Sequence, residues 1–217
     1  MAAGLGTRMR PLTERYAKAV LPVDGQPVAA QLLRELAAAG CPRVTVVIGH
    51  LGEQVQRLLG DGSAFGVALR YVRQPQPHGS ADAVSRAGEE PPYLVLAADT
   101  VFPAGSIASF ARRAPSAGAI AVRRGQERVP VRVRAGLVQR VLDSAGPGPF
   151  SGAPLWAVGA PVHDHLCLDK RPWELGNAFQ GAIDAGEQIA AVEIGATRDL
   201  TRPLDILREN FPYLSQL

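Results

Sequence analysis

Val28-Ala29-Ala30-Gln31-Leu32-Leu33-Arg34-Glu35-Leu36-Ala37-Ala38-Ala39-Gly40-Cys41-Pro42-Arg43-Val44-Thr45-Val46-Val47-Ile48 contains the change of period that decides the fold. From Val28 to Ala39 the apolar residues recur at helical spacing, with Leu32, Leu33 and Leu36 on one face. Gly40 supplies the residue that closes a helix at its C-terminus. Val44 to Ile48 is β-branched throughout, which predicts a buried strand.

The same alternation extends outward in both directions. Glu53 to Leu59 reads as a helix, Val67 to Val72 as a strand and Ser80 to Ala87 as a helix. Tyr93 to Ala97 reads as a strand running out at Asp99, and Ser106 to Arg113 as a helix. Strands alternating with helices predict an α/β fold with a mixed, mostly parallel sheet flanked by helices. Ligands in such sheets bind outside the carboxyl ends of the strands. The glycine-rich segment Ala2-Ala3-Gly4-Leu5-Gly6-Thr7-Arg8 and Asp99 both fall at such ends. After Ala117 the pattern changes to short strands over Ala119 to Arg123, Val129 to Arg134, Leu137 to Leu142 and Pro154 to Val158. Residues 119–159 therefore read as a small β-rich insertion on the substrate side of a single domain, 1–217. Ser144 to Pro149 reads as a loop, Trp173 to Ala185 as a helix, Ile189 to Ile194 as a strand and Pro203 to Asn210 as a last helix.

The 217 residues carry 47% hydrophobic and 20% charged residues, enough for a sizeable core and a solvated surface. No apolar run is long enough to span a bilayer, and the start lacks a secretory leader, so no membrane role and a cytoplasmic location are expected. Cys41 and Cys167 fit neither a metal spacing nor a disulfide framework. The net charge of +3 is mild and suits a small phosphorylated substrate as well as a nucleic acid. Eight arginines and one acid, Glu127, lie between Arg112 and Arg140. Without stacking aromatics or a nucleic-acid motif they read as a solvated face, and no nucleic-acid partner is expected. A homo-oligomer is left open.

The chemistry starts at Gly4 and Gly6. Small residues let successive backbone N–H groups approach a phosphate and form an anion-binding nest. Arg8 and Lys18 add two cations, spaced so that a triphosphate and an incoming phosphate can be held separately. His163-Asp164-His165 reads as a polar loop, since an isolated His-x-His is a weak metal signal.

The order of these residues resembles the sugar-1-phosphate nucleotidyltransferase family. Its signature is Gly-x-Gly-Thr-Arg, Pro-Leu-Thr, Pro-Lys and Pro-x-x-Gly-x-Pro. The chain matches with Gly4-Leu5-Gly6-Thr7-Arg8, Pro11-Leu12-Thr13, Lys18 and Pro22-Val23-Asp24-Gly25-Gln26-Pro27. It departs at Ala17, where the family usually has proline. Gln74 to Ala83 is similar to the family's second nucleotide segment, and Leu94 to Asp99 to its strand ending in a metal-binding aspartate. Asp199, Pro203, Asp205 and Asn210 keep the register of its C-terminal motif, with Thr201-Arg202 replacing the usual glycine-threonine.

The resemblance implies a GT-A-like, Rossmann-type fold. It implies magnesium-dependent transfer of NMP from an NTP to a sugar-1-phosphate, with release of pyrophosphate. Arg8 and Lys18 are then the catalytic cations. Ala3, Gly4, Gly6, Thr7, Gln74, Gly79 and Ser80 bind nucleotide. Asp99 and Asp199 hold Mg2+, with Glu193 an alternative to Asp199. Asp143 and Gly152 bind sugar, and Trp156 lines the sugar pocket or packs in the core. A glutamine amide donates and accepts at once, which favours UTP or dTTP. Transfer to another phosphate such as phosphocholine, or a non-catalytic nucleotide-sensing subunit, are the alternatives. Relatives carry a full β-strand before the glycine loop. That strand is expected to be missing here through a mis-set or truncated start, leaving the sheet without a central strand and the loop without its anchor.

Overall fold

The computed structural model describes residues 1–125, 130–141, 148–166, 168 and 173–211. In chain order its elements are α1 (Leu12–Arg15), β1 (Pro22–Val23), β2 (Gln26–Pro27), α2 (Val28–Ala38), β3 (Arg43–Ile48), α3 (Gly52–Leu59), β4 (Ala68–Arg73), α4 (Ser80–Ala87), β5 (Tyr93–Leu96), β6 (Thr100–Val101), α5 (Ser106–Arg113), β7 (Gly118–Arg124), β8 (Arg132–Arg134), β9 (Leu137–Arg140), β10 (Phe150–Val158), α6 (Ala160–His163), α7 (Leu175–Asp184), β11 (Ala190–Glu193), β12 (Arg198–Asp199) and α8 (Pro203–Asn210). Single 3-10 turns cover Thr7–Met9, Lys18–Val20 and Ser63–Phe65. The chain divides into two compact units: 1–77 with 97–105 and 198–217, and 78–96 with 106–197.

In the first unit, β3 and β4 pair in parallel from Arg43 with Ala68 to Ile48 with Arg73. Helix α2 buries Val28, Ala29, Ala30, Leu32, Leu33 and Leu36; each leucine so buried contributes about 1.5–3 kcal/mol. It ends as Gly40 predicts: Gly40 takes φ +80°, its N–H reaches Ala37 O, and Cys41 N–H reaches Leu36 O. These bonds satisfy carbonyls the helix leaves open. Met9, Val23, Val55 and Leu200 are fully enclosed. The expectation of an unanchored glycine loop is corrected. Ala2 bridges Ile48 in parallel, its N–H donates to Val47 O at 2.7 Å, and Met1 O accepts from Ala98 N–H at 2.9 Å. Two residues thus stand against β3 on one side and the chain leading from β5 on the other.

The second unit holds a six-stranded sheet in the order β5-β10-β7-β11-β9-β8. Strands β7 and β11 run parallel; the other pairs are antiparallel. Central β7 is buried from Gly118 to Arg123, as a strand covered on both faces must be. Helix α6 packs on β7 and β10, and α7 on β9. Phe110, Ile120, Leu155, Leu175, Phe179 and Ile189 form the core. Residues 119–159 fall inside this unit as its β-rich part.

Two expectations need correction. Strand β10 starts at Phe150, before Pro154, and its side chains alternate in burial through Gly152 with a bulge between Gly152 and Trp156. Arg123 does not share the solvated arginine face: it is 8% exposed, and its Nη1 donates to Thr197 O and Oγ1 at 2.6 Å. Arg112, Arg113, Arg124, Arg132, Arg134 and Arg140 are exposed as expected, while Arg128 lies outside the described residues.

Candidate active site

In the first unit, hydrogen bonds and one ion pair link several of the segments singled out by the sequence. The first part is the glycine loop. Ala3 is buried and packs so closely on Gly49 that a Cβ there would lie 2.6 Å from Ala3 O. Gly4 and Leu5 emerge into solvent, with nothing within 4 Å of the Cβ position of Gly4. Gly6 turns the chain at φ +63° and starts the 3-10 turn whose Met9 is buried completely. Its carbonyl accepts from Met9 N–H and from Thr13 Oγ1, both at 2.8 Å. The threonine of the Pro-Leu-Thr segment is therefore a brace for the loop. Thr7 and Arg8, pinned between these anchors, are exposed.

The second part is a charge cluster. Lys18 Nζ is ion-paired with Asp99 Oδ2, across 81 positions of sequence. Asp99 leads into β6, which pairs antiparallel with β12 so that Asp199 faces Thr100. Leu200 N–H donates to Asp99 O at 2.9 Å, and the fully buried Thr100 donates through Oγ1 to Asp199 Oδ1 at 2.8 Å. Asp199 is thus held on paired backbone, with Asp99 just before its partner strand and the Lys18 ammonium reaching it from a 3-10 turn. The remaining residues of the C-terminal motif build the scaffold. Pro203 opens α8, Asp205 Oδ2 accepts from the N–H groups of Thr201 and Arg202 at 2.7 Å, and Asn210 bonds Pro22 O and Asp24 N–H at 3.0 Å. Asp199 itself sits in β12 and accepts from Thr100.

Gln74 is 4% exposed at the end of β4, where its N–H extends the ladder to Ile48 O at 2.8 Å. The lysine segment has supports of its own from the entry to α3. His50 Nε2 lies 3.0 Å from Thr13 O, and the Gln54 amide bonds both Arg15 O and Ala17 N–H. No spacing rule connects these residues, and sequence reading missed them.

In the second unit, Gly79 takes φ +127°, and a Cβ there would fall 2.2 Å from Trp173 O. Ser80 Oγ donates to Glu174 Oε2 at 2.5 Å and accepts from Leu175 N–H at 2.8 Å. These two residues join the starts of α4 and α7, leaving the Ser80 hydroxyl one lone pair for any ligand. Gly152 lies within β10 opposite Val122. Glu193 is exposed and pairs with Arg124 at 2.8 Å. Tyr93 Oη bonds His163 Nδ1 at 3.0 Å, and burial, helped by Glu89 and Glu90, pushes its phenol up to about 12. His163 is thus occupied by a structural bond. Asp143 lies outside the described residues. Among the described residues no group of three or more His, Cys, Asp or Glu is placed to hold a metal. No described helix is long and apolar enough to cross a membrane.

The nucleotidyl transferase family model matches residues 1–139. The low-salt glycan biosynthesis nucleotidyltransferase of Haloferax volcanii is 40% identical over 88 residues, 40% of this chain and 25% of that protein. The glucose-1-phosphate thymidylyltransferase of Streptomyces antibioticus is 40% identical over 84 residues, 39% of this chain and 24% of that protein. The matched stretch thus spans about a quarter of these relatives. A solved Bacillus anthracis structure, assigned as a glucose-1-phosphate thymidylyltransferase and holding sucrose, superposes with a TM-score of 0.83 at 17% identity. It covers 96% of this chain and 91% of its own, which shows a shared α/β fold of Rossmann-like type.

Proposed function

Since the chain belongs to the nucleotidyl transferase family, we propose that it transfers the nucleotidyl group of an NTP, dTTP or UTP, to a sugar-1-phosphate. The observation that carries this is the Lys18–Asp99 pair set beside Asp199. It joins a cation suited to an anionic acceptor with the carboxylates that a metal-assisted transfer requires. The thymidylyl specificity in the name of the Streptomyces relative supports the choice of base. In the reaction an oxygen of the sugar phosphate bonds to the α-phosphorus, the bond from that phosphorus to the β-phosphate oxygen breaks, and pyrophosphate leaves. Such a transfer needs positioning and charge neutralisation, not a covalent nucleophile.

The residues divide the task as follows. The amides of Gly4 to Thr7, with Ala3 at their root, receive the phosphates. Arg8 holds the departing pyrophosphate, and Lys18 draws the acceptor phosphate to the α-phosphorus. Gln74 takes the nucleotide-binding role its motif implies; Gly79 and Ser80 take theirs, with Ser80 supplying at most one acceptor. On the acceptor side, Gly152 and Asp143 bind sugar.

Asp99 and Asp199 fit magnesium: both are hard oxygen donors, Asp199 in β12 and Asp99 immediately before its partner β6, and Asp99 already attracts an ammonium. Magnesium is commonly held by one or two carboxylates plus substrate phosphates, and when bound it would offset charge on the α-phosphate. The test is pyrophosphate release from each NTP with a panel of sugar-1-phosphates, in magnesium and in chelator. Release that needs both substrates and the metal supports the proposal. NTP binding by calorimetry with no release across the panel would sink it in favour of a sensing role.

A further inference from the structure

Gln54 belongs to no motif, yet its side chain grips the backbone immediately before Lys18. Its Nε2 donates to Arg15 O at 2.7 Å, and its Oε1 accepts from Ala17 N–H at 2.8 Å. Ala17 is buried, and Lys18 begins the next turn of chain. The backbone at this point has a particular form. Ala17 sits at φ −61°, ψ 137°, and Tyr16 before it at φ −127°, ψ 131°. A proline at position 17 would fix that φ and hold its predecessor in that extended region. A proline has no N–H, however, and its ring would meet the Gln54 carbonyl oxygen. This chain thus reaches a proline-like geometry with alanine, and the glutamine makes the bond that alanine allows.

We propose that Gln54 is a positioning residue for Lys18: it fixes the Arg15–Ala17 backbone by hydrogen bonds where a prolyl ring would fix it covalently. Free alanine visits many backbone conformations, so without the clamp the segment has entropy to lose each time Lys18 is placed. With it, Lys18 is delivered onto Asp99 already ordered. This inference rests on the acceptor-binding role proposed for Lys18.

The experiment compares Gln54→Ala, Lys18→Ala, the double variant Gln54→Ala/Lys18→Ala, and Ala17→Pro/Gln54→Ala. Exchange of the Ala17 amide, followed by NMR, should speed up at least about tenfold in Gln54→Ala. Unchanged exchange would overturn the proposal whatever the activity. In turnover, Gln54→Ala should raise KM for the sugar-1-phosphate or lower kcat by roughly five- to twentyfold, the scale of one or two lost hydrogen bonds. KM for the NTP should hardly move. In the Lys18→Ala background the same change should have no further effect, and Ala17→Pro should restore most of the loss in the Gln54→Ala background. An equal Gln54→Ala effect with and without Lys18, or no recovery with proline, would show a merely structural role. Wild-type turnover by Lys18→Ala would instead overturn the role of Lys18 itself, and the two failures are distinct.

Discussion

Replacing Gly6 by alanine tests whether the glycine loop is held as described. Gly6 has φ +63°, a region where an L side chain crowds its own carbonyl, at about 1–2 kcal/mol per residue. The new Cβ would also stand 2.7 Å from Thr13 Cγ2, below any real contact distance. Thr13 is 2% exposed and held through its hydroxyl, so it cannot swing away, and overpacking of this kind costs about 1–3 kcal/mol. The sum, about 2–5 kcal/mol, is a large fraction of a domain's 5–15 kcal/mol. Thr13→Ser removes the offending methyl and keeps the hydroxyl. In a double-mutant cycle it should return the packing part, about 1–3 kcal/mol, and leave the backbone part in place. Urea unfolding of the four proteins measures both terms. A Gly6→Ala protein within about 0.5 kcal/mol of wild type, or a cycle with no coupling between the two positions, would refute the reasoning.

Other positions give sharper local tests. Asp205→Ala removes the acceptor for two N–H groups at the start of α8 and should cost about 1–2 kcal/mol by thermal unfolding; no change would mean water replaces it. Gly79→Ala meets a carbonyl oxygen at 2.2 Å from φ +127°, and since backbone cannot step aside, a loss of about 3 kcal/mol or more is expected in the same measurement. Tyr93 keeps its proton in the folded state up to about 12, whereas the unfolded chain loses it near 10. The folded state therefore binds more protons in that window, and stability falls as pH rises from about 10 to about 12. Tyr93→Phe should flatten this fall, and a wild-type-minus-variant tyrosinate titration centred near 10 would contradict it.

Much of the fold was legible because its punctuation is strong. Ser80–Ala87, Ser106–Arg113 and Pro203–Asn210 came out with the observed bounds, set by glycines or proline at their ends. The start of β10 was lost for the same reason in reverse: Gly152 and Pro154 look like breakers, and the bulge that accommodates them depends on pairing with β7. Helix α1 has four residues, too few to show a period. Motif register singles out Asp99 and Asp199, but the β6–β12 pairing and the Thr100 bond beside them are not visible in the sequence. Arg123 looked like one more surface arginine, because its partner Thr197 lies 74 residues away. Gln54 and Glu174 were invisible for the same reason. Local pattern reports what a residue prefers, and long-range hydrogen bonds report what the fold asks of it.

The most direct test of nucleotidyl transfer is to follow the α-phosphorus. The protein is incubated with dTTP labelled at that atom, glucose-1-phosphate and magnesium, and the products are separated. The expected result is label in a nucleoside diphosphate sugar, equimolar pyrophosphate, and at least about a hundredfold less of both from Asp99→Ala. Label confined to the triphosphate, or an Asp99→Ala protein as active as wild type, would contradict the assignment of Asp99 and Lys18 as the centre of the chemistry.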